Sequence, residues 1–501
     1  MSAFLLAHDL GTTNHKCVVF NEKGDIIASA QRAYPTYYSN GGMAEQDPND
    51  WWSNFLETTK EVLTIISPGK IAGISFSAHM NGCLPVDQNG VPLMRSIIHA
   101  DTRSMEIETE VYQKVCENQL YNITGNRIDS RYTLLKMYWL KEKKPEIYQY
   151  TRFFLQAKDY LVYKLTGNLG VTDYSDASLT GAFHLKNRQW EDSLFKELGL
   201  DLSKMPIPVP STEIVGYVQK EIAKETGLLA GTPVIIGGGD GACATAGAGS
   251  LRQGETYISL GTTAWVSKVV EEPFIDIEKR VFSICDLNPK YYNVLGTMQT
   301  AGAAYEWAIK QFSPVVEWGS LEVKPEYQQF DKQIKKVPAG ARGLIFHPYL
   351  LGERSPIWNE KARGSFLGMH LEHNRFDMAK AVLEGIAYSL CGISEIINPQ
   401  ARKEIRMIGG LVQSESLIQT ICDVLERPIQ LTANPSEATS LGAAIALGVG
   451  IQMFPSFEDA SHMILKGKQY HPNDENSTIY KHQMNHFKIL YERIKDIQFN
   501  N

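Results

Sequence analysis

The first 34 residues carry three apolar runs that predict a β-meander. Residues 4–8, 16–21 and 26–34 are rich in apolar side chains and have the length expected of short strands. The segment 21–25 contains Gly24 and Asp25 and predicts a tight turn between the second and third strands. The chain is therefore expected to begin with an antiparallel sheet.

Apolar periodicity and capping residues predict most of the next elements. Asp47-Pro48 is typical of a helix start, with aspartate as the N-cap and proline at the first helical position, and this helix is expected to run through Leu63. Buried strands are predicted at residues 71–77 and 234–236. Further helices are predicted at residues 103–117, 132–145 and 157–165.

Residues 246–255 contain three glycines and little side-chain bulk, and they predict the boundary between two domains, 1–248 and 249–501. Beyond this boundary a strand and turn are expected at 256–263, strands near 280–298 and a helix from about 302. Two apolar stripes at helical spacing predict further helices, the second of them docked at the end of the chain. Their members are Met378, Val382, Ile386, Leu390 and Ile393, and Tyr480, Met484, Phe487, Tyr491 and Ile494.

The sequence Leu-Gly-Thr-Thr occurs twice, about half a chain apart, at residues 10–13 and 260–263. Each copy follows an apolar run, so each predicts a strand that ends in a turn of glycine and hydroxyl residues. Such a turn lets backbone N–H groups approach a phosphate closely and adds hydroxyl donors. One copy alone is weak evidence. Two copies, each opening a half of similar size, indicate two related domains that bind one nucleotide.

Length and charge narrow the class of protein. A chain of 501 residues is too long for one hydrophobic core, so two domains are expected. The formal net charge is −7 and no Lys/Arg-rich run occurs. These features argue against nucleic acid and anionic membrane surfaces as partners. A small anionic ligand is not excluded, because local dipoles and a metal ion can hold phosphate.

Cysteine usage and the N-terminus predict a cytoplasmic protein. The seven cysteines are scattered, odd in number and never in a C-x-x-C pair, which favours reduced thiols over a disulfide framework or a zinc site. The N-terminus lacks the features of a signal peptide. No apolar run approaches the ~20 residues of a membrane span.

The strongest candidate for chemistry is the segment 235–242, in which a predicted strand ends in three glycines followed by Asp240. A carboxylate in this setting could accept a proton from an attacking hydroxyl during phosphoryl transfer, or it could simply cap the next helix. Asp9 could hold Mg²⁺ near the phosphates, directly or through water. Lys16 could reach a phosphate. No P-loop, H-E-x-x-H or G-x-S-x-G motif is present.

Several motifs resemble those of the FGGY carbohydrate kinases, a family of the actin-like ATPase superfamily. Residues 364–369 followed by 377–384 fit the family's C-terminal signature. Thr133, Lys136 and Trp139 fit the Lys-x-x-Trp signature, although Arg131 departs from its first position. The resemblance runs from end to end. It implies an α/β fold of two actin-like (ribonuclease H-like) ATPase domains with a nucleotide cleft between them, and ATP and Mg²⁺ as cofactors.

The resemblance also assigns residues to roles. Asp240 matches the family's catalytic base, and Asp9 is the metal candidate. The phosphate and nucleotide positions fall in four segments of the chain: Asp9, Gly11, Thr12, Thr13 and Lys16 in the first; Gly261, Thr262 and Thr263 in the second; Gly302 in the third; and Gly409, Gly410 and Ser414 in the fourth.

The predicted sugar-binding residues depart from the family at two places. Xylulose kinases carry Met-His-Gly where this chain has Met80, Asn81 and Gly82, and gluconate kinases carry Met-His-Ser. Glycerol kinases carry Arg-Glu there, which makes glycerol an unlikely substrate. A family Trp-x-Asp-x-Arg pattern is met at residues 99–103, with His99 in place of tryptophan, followed by Asp101 and Arg103. Together with Asp240, these residues are predicted to bind the substrate.

The sequence therefore predicts an ATP-dependent kinase for a small open-chain sugar, with a ketopentose such as xylulose as the leading substrate. Gluconate or a polyol is the alternative within the family. A rival class is a non-catalytic or chaperone-like ATPase of the same superfamily, but no peptide-binding appendage is visible. A dehydrogenase is disfavoured because no G-x-G-x-x-G follows the first strand. A homodimer is also considered.

Overall fold

The fold was analysed in a computed structural model, which describes residues 3–312, 327–397 and 404–497. Within these ranges the strands are β1 (Phe4–Leu10), β2 (Asn14–Phe20), β3 (Ile26–Ala33), β4 (Tyr37–Ser39), β5 (Met43–Gln46), β6 (Ile71–Ala78), β7 (Leu84–Val86), β8 (Ser96–Ile97), β9 (Phe153–Leu155), β10 (Val171–Asp173), β11 (Phe183–His184), β12 (Gln189–Trp190), β13 (Ile207–Val209), β14 (Ile214–Tyr217), β15 (Pro233–Ile235), β16 (Gly238–Gly239), β17 (Thr256–Leu260), β18 (Ala264–Val270), β19 (Phe282–Cys285), β20 (Tyr292–Met298), β21 (Ile345–His347), β22 (Ser365–Leu367), β23 (Ile405–Ile408), β24 (Ile429–Thr432) and β25 (Lys466–Tyr470).

Within the same ranges the α-helices are α1 (Pro48–Leu63), α2 (Glu108–Lys114), α3 (Glu117–Thr124), α4 (Thr133–Lys143), α5 (Pro145–Tyr150), α6 (Ala157–Thr166), α7 (Tyr174–Leu179), α8 (Asp192–Leu198), α9 (Lys220–Thr226), α10 (Asp240–Gly247), α11 (Gly302–Phe312), α12 (Tyr327–Ile334), α13 (Arg375–Ile397), α14 (Glu415–Leu425), α15 (Ala438–Gly450) and α16 (Asp474–Ile494).

The chain folds into two compact units, each built from three segments that are separate in sequence. The first unit comprises Met1–Gly254, Val269–Val294 and Glu437–Leu465, and the second comprises Glu255–Lys268, Leu295–Ser436 and Lys466–Asn501. The chain thus passes from the first unit to the second at Gly254, returns twice, and places α15 in the first unit. The boundary at residues 248/249 stays a prediction.

The sheet of the first unit runs in the order β14-β15-β6-β1-β2-β3, with β16 also pairing with β6. β1, β2 and β3 are antiparallel neighbours, which confirms the predicted meander. β6 lies parallel to β1, and both β15 and β16 lie parallel to β6. The carboxyl ends of β1, β6 and β16 consequently meet at one edge of the sheet.

Helix α1 begins where the sequence predicts. Asp47 is its N-cap, the Asp47 side chain accepts a hydrogen bond from the Asn49 N–H group, and Pro48 is the first helical residue. Trp51 and Phe55 are fully buried and pack in the same hydrophobic core as residues of the sheet. Local capping therefore sets the start of the helix, and burial of these aromatic side chains holds it on the sheet.

In the second unit the strands follow the order β18-β17-β23-β24-β25, with β17, β23 and β24 parallel. α13 packs against α11 and α14, and α16 packs against α14 and β21. Tyr480, Met484, Phe487 and Tyr491 on α16 are buried, which confirms the predicted docked terminal helix. In the part of the chain that the structure describes, no helix is both long and apolar enough to cross a membrane.

The helix predicted at 103–117 is wrong as a single element. The structure has a 3-10 helix at Arg103–Ile107, then α2, then a break at Val115 before α3. Val115 is extended, with φ −118° and ψ 127°. This break lets Val111, Val115 and Leu120 enter the same hydrophobic core, a packing gain that outweighs the continuous helical pattern.

Two buried histidines lie between the sheet and α1 in the first unit. His8 on β1 and His15 on β2 are fully buried, and His8 Nδ1 lies 2.9 Å from His15 Nε2. The His8 ring also packs 4.3 Å, centroid to centroid, from Phe55. Burial lowers the pKa of His15 to about 3 and lowers the pKa of His8 well below its usual value. Both rings are therefore neutral in the folded protein.

These histidines predict acid-sensitive stability. Their folded pKa values are depressed, so their contribution to stability is present above pH ~6.5 and is lost as the pH falls, by up to ~1.4 kcal/mol per pH unit for each histidine. We expect the melting temperature to drop between pH 7.5 and pH 5.5, and to drop less in the variant His8→Leu/His15→Leu. Differential scanning calorimetry measures both values. An equal drop in the two proteins would contradict this account.

Candidate active site

The first Gly-Thr-Thr segment forms the tight turn between β1 and β2. The Gly11 N–H group donates to the Asn14 carbonyl at 3.0 Å, the Tyr34 hydroxyl donates to the Gly11 carbonyl, and Gln46 Nε2 donates to the Thr12 carbonyl at 2.7 Å. Thr12 is half-buried and Thr13 is exposed. Residues outside the turn thus hold its carbonyls, while its threonine side chains reach the surface.

Asp9 and Lys16 face each other at the base of this turn, paired across β1 and β2. Asp9 Oδ2 accepts a hydrogen bond of 2.6 Å from the Thr439 hydroxyl, and Lys16 Nζ lies 3.1 Å from Glu437 Oε1. Burial raises the pKa of Asp9, and the bond from Thr439 opposes that rise. The start of α15 therefore supplies two groups of this site.

Glycines bring the segment before Asp240 against the end of β6. Gly237 has φ 70°, and a Cβ there would lie 2.0 Å from the Phe76 carbonyl oxygen. A Cβ on Gly239 would lie 2.5 Å from Met80 Sδ. No other residue type fits either position without displacing its neighbours. Close backbone approach thus explains Gly237, and packing on the Met80 side chain explains Gly239. Together they place Asp240 beside the predicted sugar loop.

Asp240 is the first residue of α10, and Gly239 is the N-cap. The aspartate is therefore not the capping residue, so the alternative explanation of its presence as a helix cap is wrong. Burial and, to a smaller extent, the charge of Asp9 together raise the pKa of Asp240 to about 7, against an opposing effect of the Gly241 N–H group. A carboxylate with such a pKa can hold or release a proton near neutral pH.

The predicted sugar loop, Met80–Gly82, follows β6, and the buried Lys136 side chain bonds to its backbone. Asn81 adopts φ 62°, in the left-handed region, and its carbonyl accepts a 2.5 Å hydrogen bond from the buried Lys136 Nζ. Lys136 Nζ also donates to the Ile98 carbonyl at 2.9 Å. Asn81 Oδ1 is buried and has no hydrogen-bond partner among the described residues. Met80 is buried against Gly239.

The other predicted substrate residues, His99, Asp101 and Arg103, differ in burial and in their bonding partners. Asp101 is fully buried, and its carboxylate accepts bonds from Arg103 Nε, Arg103 Nη2 and the Ala44 N–H group. Arg103 Nη2 also contacts Glu45 Oε1 at 2.7 Å. The His99 ring lies 6.0 Å from that of His79. Asp101 and Arg103 thus form an internal ion pair, whereas the ring of the half-buried His99 lies tilted beside that of the buried His79.

The second Gly-Thr-Thr segment forms a turn between β17 and β18 in the second unit. The Gly261 N–H group donates to the Thr263 carbonyl at 2.9 Å, so the glycine N–H group bonds to a carbonyl within the turn, as in the first turn. The second turn is one residue shorter, because the strand pairing resumes at Leu260 and Ala264 here and at Leu10 and His15 in the first turn. Thr262 is exposed and Thr263 is half-buried. Gly302 N–H donates to the Gly261 carbonyl at 3.0 Å, which docks the turn on the start of α11.

A cavity of about 600 Å³ lies beside this second turn. It is lined by residues from the turn, from α11 and from the 3-10 helix Gly410–Gln413: Gly261, Thr262, Glu306, Gly410, Leu411, Gln413 and Ser414. A Cβ on Gly302 would lie 2.3 Å from Leu411, and one on Gly409 would lie 2.5 Å from the Leu260 carbonyl, whereas one on Gly410 would meet nothing within 4 Å. Gly410 thus presents bare backbone to the cavity.

The Ser414 hydroxyl makes its hydrogen bonds to other groups of the protein. It donates to both carboxylate oxygens of Asp331, at 2.9 and 3.0 Å, and accepts from the Leu417 N–H group as the N-cap of α14. The Tyr305 hydroxyl donates to the same carboxylate at 2.6 Å. Ser414 therefore contributes to the shape of the cavity, and its predicted contact with nucleotide stays a prediction.

The structure brings the predicted residues together in two groups, one in each unit. The group of the first unit lies where β1, β6 and β16 end, and it contains Asp9, Lys16, Asp240 and the loop at Met80. The group of the second unit lines the cavity beside Gly261 and Thr262. Sequence reasoning missed Glu437 and Thr439. The available signal was Ser436 and Glu437, two polar residues just before a helix rich in glycine and alanine, the pattern of a helix start.

The fit of a Mg²⁺ ion rests on Asp9. Its Oδ1 atom is buried and has no hydrogen-bond partner among the described residues, so one carboxylate oxygen remains available for a cation. In those residues no cluster of three or more His, Cys, Asp or Glu side chains could hold a metal alone. A site with one carboxylate suits Mg²⁺, which is usually bound by one or two carboxylates together with waters and substrate phosphates.

Two mixed α/β units, each with a glycine-threonine turn between antiparallel strands, define an ATPase fold of the actin-like class. A model of the FGGY family of carbohydrate kinases matches its N-terminal domain to residues 4–247 and its C-terminal domain to residues 256–451. The chain therefore belongs to the FGGY family, and it is an ATP-dependent carbohydrate kinase.

Curated relatives and solved structures agree with this assignment. The chain is 31% identical to the xylulose kinase of Bacillus subtilis (strain 168) over 99% of this chain and 98% of that protein. It is 30% identical to the gluconokinase of the same organism over 100% and 97%. Crystal structures of a gluconate kinase and a ligand-bound xylulose kinase from Lactobacillus acidophilus each superpose with a TM-score of 0.92 over 99% of both chains, at 26% and 27% identity.

The bare backbone at Gly410 predicts a nucleotide-specific variant. Gly410→Val would fill open space in the cavity without a clash in the protein, so we expect an unchanged melting temperature and an ATP KM raised by at least about tenfold, the loss of ~1.4 kcal/mol of binding. Sugar KM should stay within a factor of about two. Steady-state kinetics against both substrates measure these values, and an unchanged ATP KM would remove this cavity from nucleotide binding.

Proposed function

We propose that this kinase transfers the γ-phosphoryl group of ATP to a hydroxyl of a small, uncharged, open-chain sugar, with a ketopentose such as xylulose as the substrate. Gluconate or a polyol is the alternative. The choice of a neutral sugar rests on one observation: the cationic side chains near the sugar loop, Arg103 and Lys136, already bond to groups of the protein. Relatives alone do not separate the alternatives, since a xylulose kinase and a gluconokinase are 31% and 30% identical to this chain.

A sugar acid needs a positive partner for its carboxylate, which arginine usually provides through paired hydrogen bonds. Among the residues predicted to bind the substrate, the cation is Arg103, and it already contacts Asp101 and Glu45. The nearby Lys136 donates to the Asn81 and Ile98 carbonyls. Asn81 differs from these cations, because its side chain is an uncharged amide, its Oδ1 atom has no hydrogen-bond partner among the described residues, and an amide is suited to hydroxyls.

Asp240 is proposed as the general base. It accepts the proton of the attacking hydroxyl while that oxygen attacks the γ-phosphorus. A pKa of about 7 keeps a large share of the carboxylate ionised at neutral pH and still makes it a useful proton acceptor. Burial beside Asp9 produces this value. Activity should therefore fall as the pH drops through about 7, because Asp240 becomes protonated.

The phosphate groups are proposed to contact the two turns, Gly11–Thr13 and Gly261–Thr263, with Lys16 as a cationic partner. Their N–H and hydroxyl groups supply donors without a P-loop. Asp9 would hold Mg²⁺, directly or through water. When bound, the ion neutralises phosphate charge in the transition state. Gly302, Gly409, Gly410 and Ser414 are proposed to shape the adenosine site. A homodimer and a cytoplasmic location stay predictions.

Replacing the proposed base gives the first test. Asp240→Asn keeps shape and removes the proton acceptor, so we expect kcat to fall by roughly 10²–10⁴-fold, with ATP KM little changed. Protein stability should not fall. The raised folded pKa means that ionised Asp240 costs stability as the pH rises from its unfolded pKa, 3.8, through about 7, and asparagine avoids that cost.

The matched measurement is the melting temperature of wild type and Asp240→Asn at pH 8. A well-folded variant with near-normal kcat would remove Asp240 from the mechanism. A variant that melts much lower would instead show that the carboxylate is needed for structure, contrary to its burial without a charged partner.

A substrate screen gives the second test. ADP release is measured with xylulose, other ketopentoses, polyols and gluconate at equal concentrations, and kcat/KM is compared. We expect the highest value for a neutral ketopentose, and a gluconate value lower by at least about tenfold, because an unpaired buried carboxylate is disfavoured. A higher kcat/KM for gluconate would overturn the neutral-sugar proposal and leave the kinase assignment intact.

A further inference from the structure

A buried ion cluster, which we call the Lys158 cluster, lies in the first unit. It consists of Lys158 and the carboxylates of Asp159, Asp173 and Asp176, at 2.7, 2.9 and 2.8 Å from Lys158 Nζ. All four side chains are at most 1% exposed. None of these residues was predicted to touch substrate. An ammonium surrounded by three carboxylates at this depth requires an explanation, because burying charge is costly.

The charges in the cluster depend on one another. Burial alone would lower the pKa of Lys158, but the three carboxylates raise it well above the usual value, so the ammonium stays charged. Burial also raises the pKa of Asp176 well above its usual value. Loss of the ammonium would leave crowded carboxylates without a counter-charge. Each charged member of the cluster therefore depends on the others being in place.

One branch of the cluster leads to the base. Asp173, whose Oδ1 contacts Lys158, accepts with Oδ2 from the Ser175 hydroxyl and from the Ser211 hydroxyl, the latter at 2.9 Å. The Ser175 hydroxyl in turn accepts a 2.9 Å hydrogen bond from the Gly239 N–H group. Gly239 immediately precedes Asp240. A directed chain of hydrogen bonds thus runs from the buried ammonium to the backbone that carries Asp240.

The other branch leads to the sugar loop. Asp159 contacts Lys158 and accepts from the Gln156 N–H group at 3.0 Å. Gln156 Oε1 accepts from the Gly82 N–H group at 2.7 Å, and the Thr133 hydroxyl donates to the Gly82 carbonyl at 2.9 Å. Both backbone groups of Gly82 are therefore held by buried side chains, directly after Met80 and Asn81.

We propose that the Lys158 cluster is a positioning device that sets Asp240 and the sugar loop against each other, with Ser175 and Gln156 as its two positioning residues. The two branches leave the same ammonium in different directions and end on the two backbone segments that meet where Met80 packs on Gly239. Neither serine nor glutamine touches the reacting atoms. Each acts through the backbone it holds.

This inference rests on the proposed role of Asp240 as base, and it goes further by naming what fixes the base in place. Phosphoryl transfer depends mainly on positioning. A displacement of about 1 Å in a catalytic group can cost about 10²-fold in rate. Ser175 is thus expected to affect turnover, whereas Gln156 is expected to affect how well the sugar is held.

The chain offers a matched pair for the first branch. Ser175→Ala and Ser211→Ala each remove one buried hydroxyl from the same carboxylate oxygen of Asp173. They differ in how they reach the glycine segment. The Ser175 hydroxyl accepts from the Gly239 N–H group and is lost in alanine, whereas Ser211 accepts from the Gly237 N–H group with its backbone carbonyl, which the alanine variant keeps. We expect Ser175→Ala to lower kcat by about 10- to 100-fold, with ATP KM and sugar KM within about twofold, and Ser211→Ala to keep kcat within about twofold.

Melting temperatures show whether the two variants are equally stable. A lower kcat in Ser175→Ala at a stability similar to that of Ser211→Ala supports the proposal. Equal kcat values in the two variants would overturn the branch to the base. That failure is distinct from failure of the proposed function, which would appear as an active Asp240→Asn variant.

The second branch is tested with Gln156→Met, which keeps volume and removes the acceptor of the Gly82 N–H group. We expect sugar KM to rise by about tenfold, matching the loss of one buried hydrogen bond of ~1.4 kcal/mol, while ATP KM stays within about twofold. Thr166→Val, which alters a hydroxyl bonded to Val162 elsewhere on α6, is the control. An unchanged sugar KM in Gln156→Met, or an equal rise in both variants, would overturn this branch.

Discussion

The close approach of residues 237–239 to the end of β6 is the constraint on which the site of the first unit depends. Gly237 sits at φ 70° with the Phe76 backbone where a Cβ would be, and Gly239 packs directly on Met80. A side chain at Gly237 would force the chain away from β6, and one at Gly239 would displace the Met80 side chain. Asp240 would then lose its place beside Asp9 and the sugar loop. Gly237 and Gly239 thus fix the backbone that carries Asp240, whose carboxylate lies beside that of Asp9.

Asp9 and Asp240 are two neighbouring carboxylates, of which Asp9 also faces Lys16 across β1 and β2. Burial raises the pKa values of Asp9 and Asp240, and their mutual repulsion adds to the shift at Asp240. The contrast with Asp101 is informative, because that carboxylate is fully buried and is held by Arg103. Unpaired buried carboxylates cost stability, and such groups cluster where a protein binds cations or moves protons.

Local signals were sufficient where a short segment determines its own structure. The Asp47-Pro48 start of α1, the β-meander and the apolar stripe of α16 were predicted from neighbouring residues, and the structure confirms them. The helix predicted at 103–117 failed because Val115 leaves the helical path to reach the core. No pattern within that segment indicates the break, since the partner residues of the core lie elsewhere in the chain.

By itself, the sequence determined the two glycine-threonine turns and the glycine run before Asp240, because each depends on residues adjacent along the chain. The class of fold and the assignment of Asp240 as candidate base came from the resemblance of motifs spread along the whole chain to those of a known family. Only the tertiary structure decided which groups meet these residues. Thr439 reaches Asp9 across 430 positions of sequence, and the Lys158 cluster reaches Gly239 through Ser175. Contacts of this kind arise from packing of distant segments, and a single sequence contains no local periodicity or spacing that specifies them.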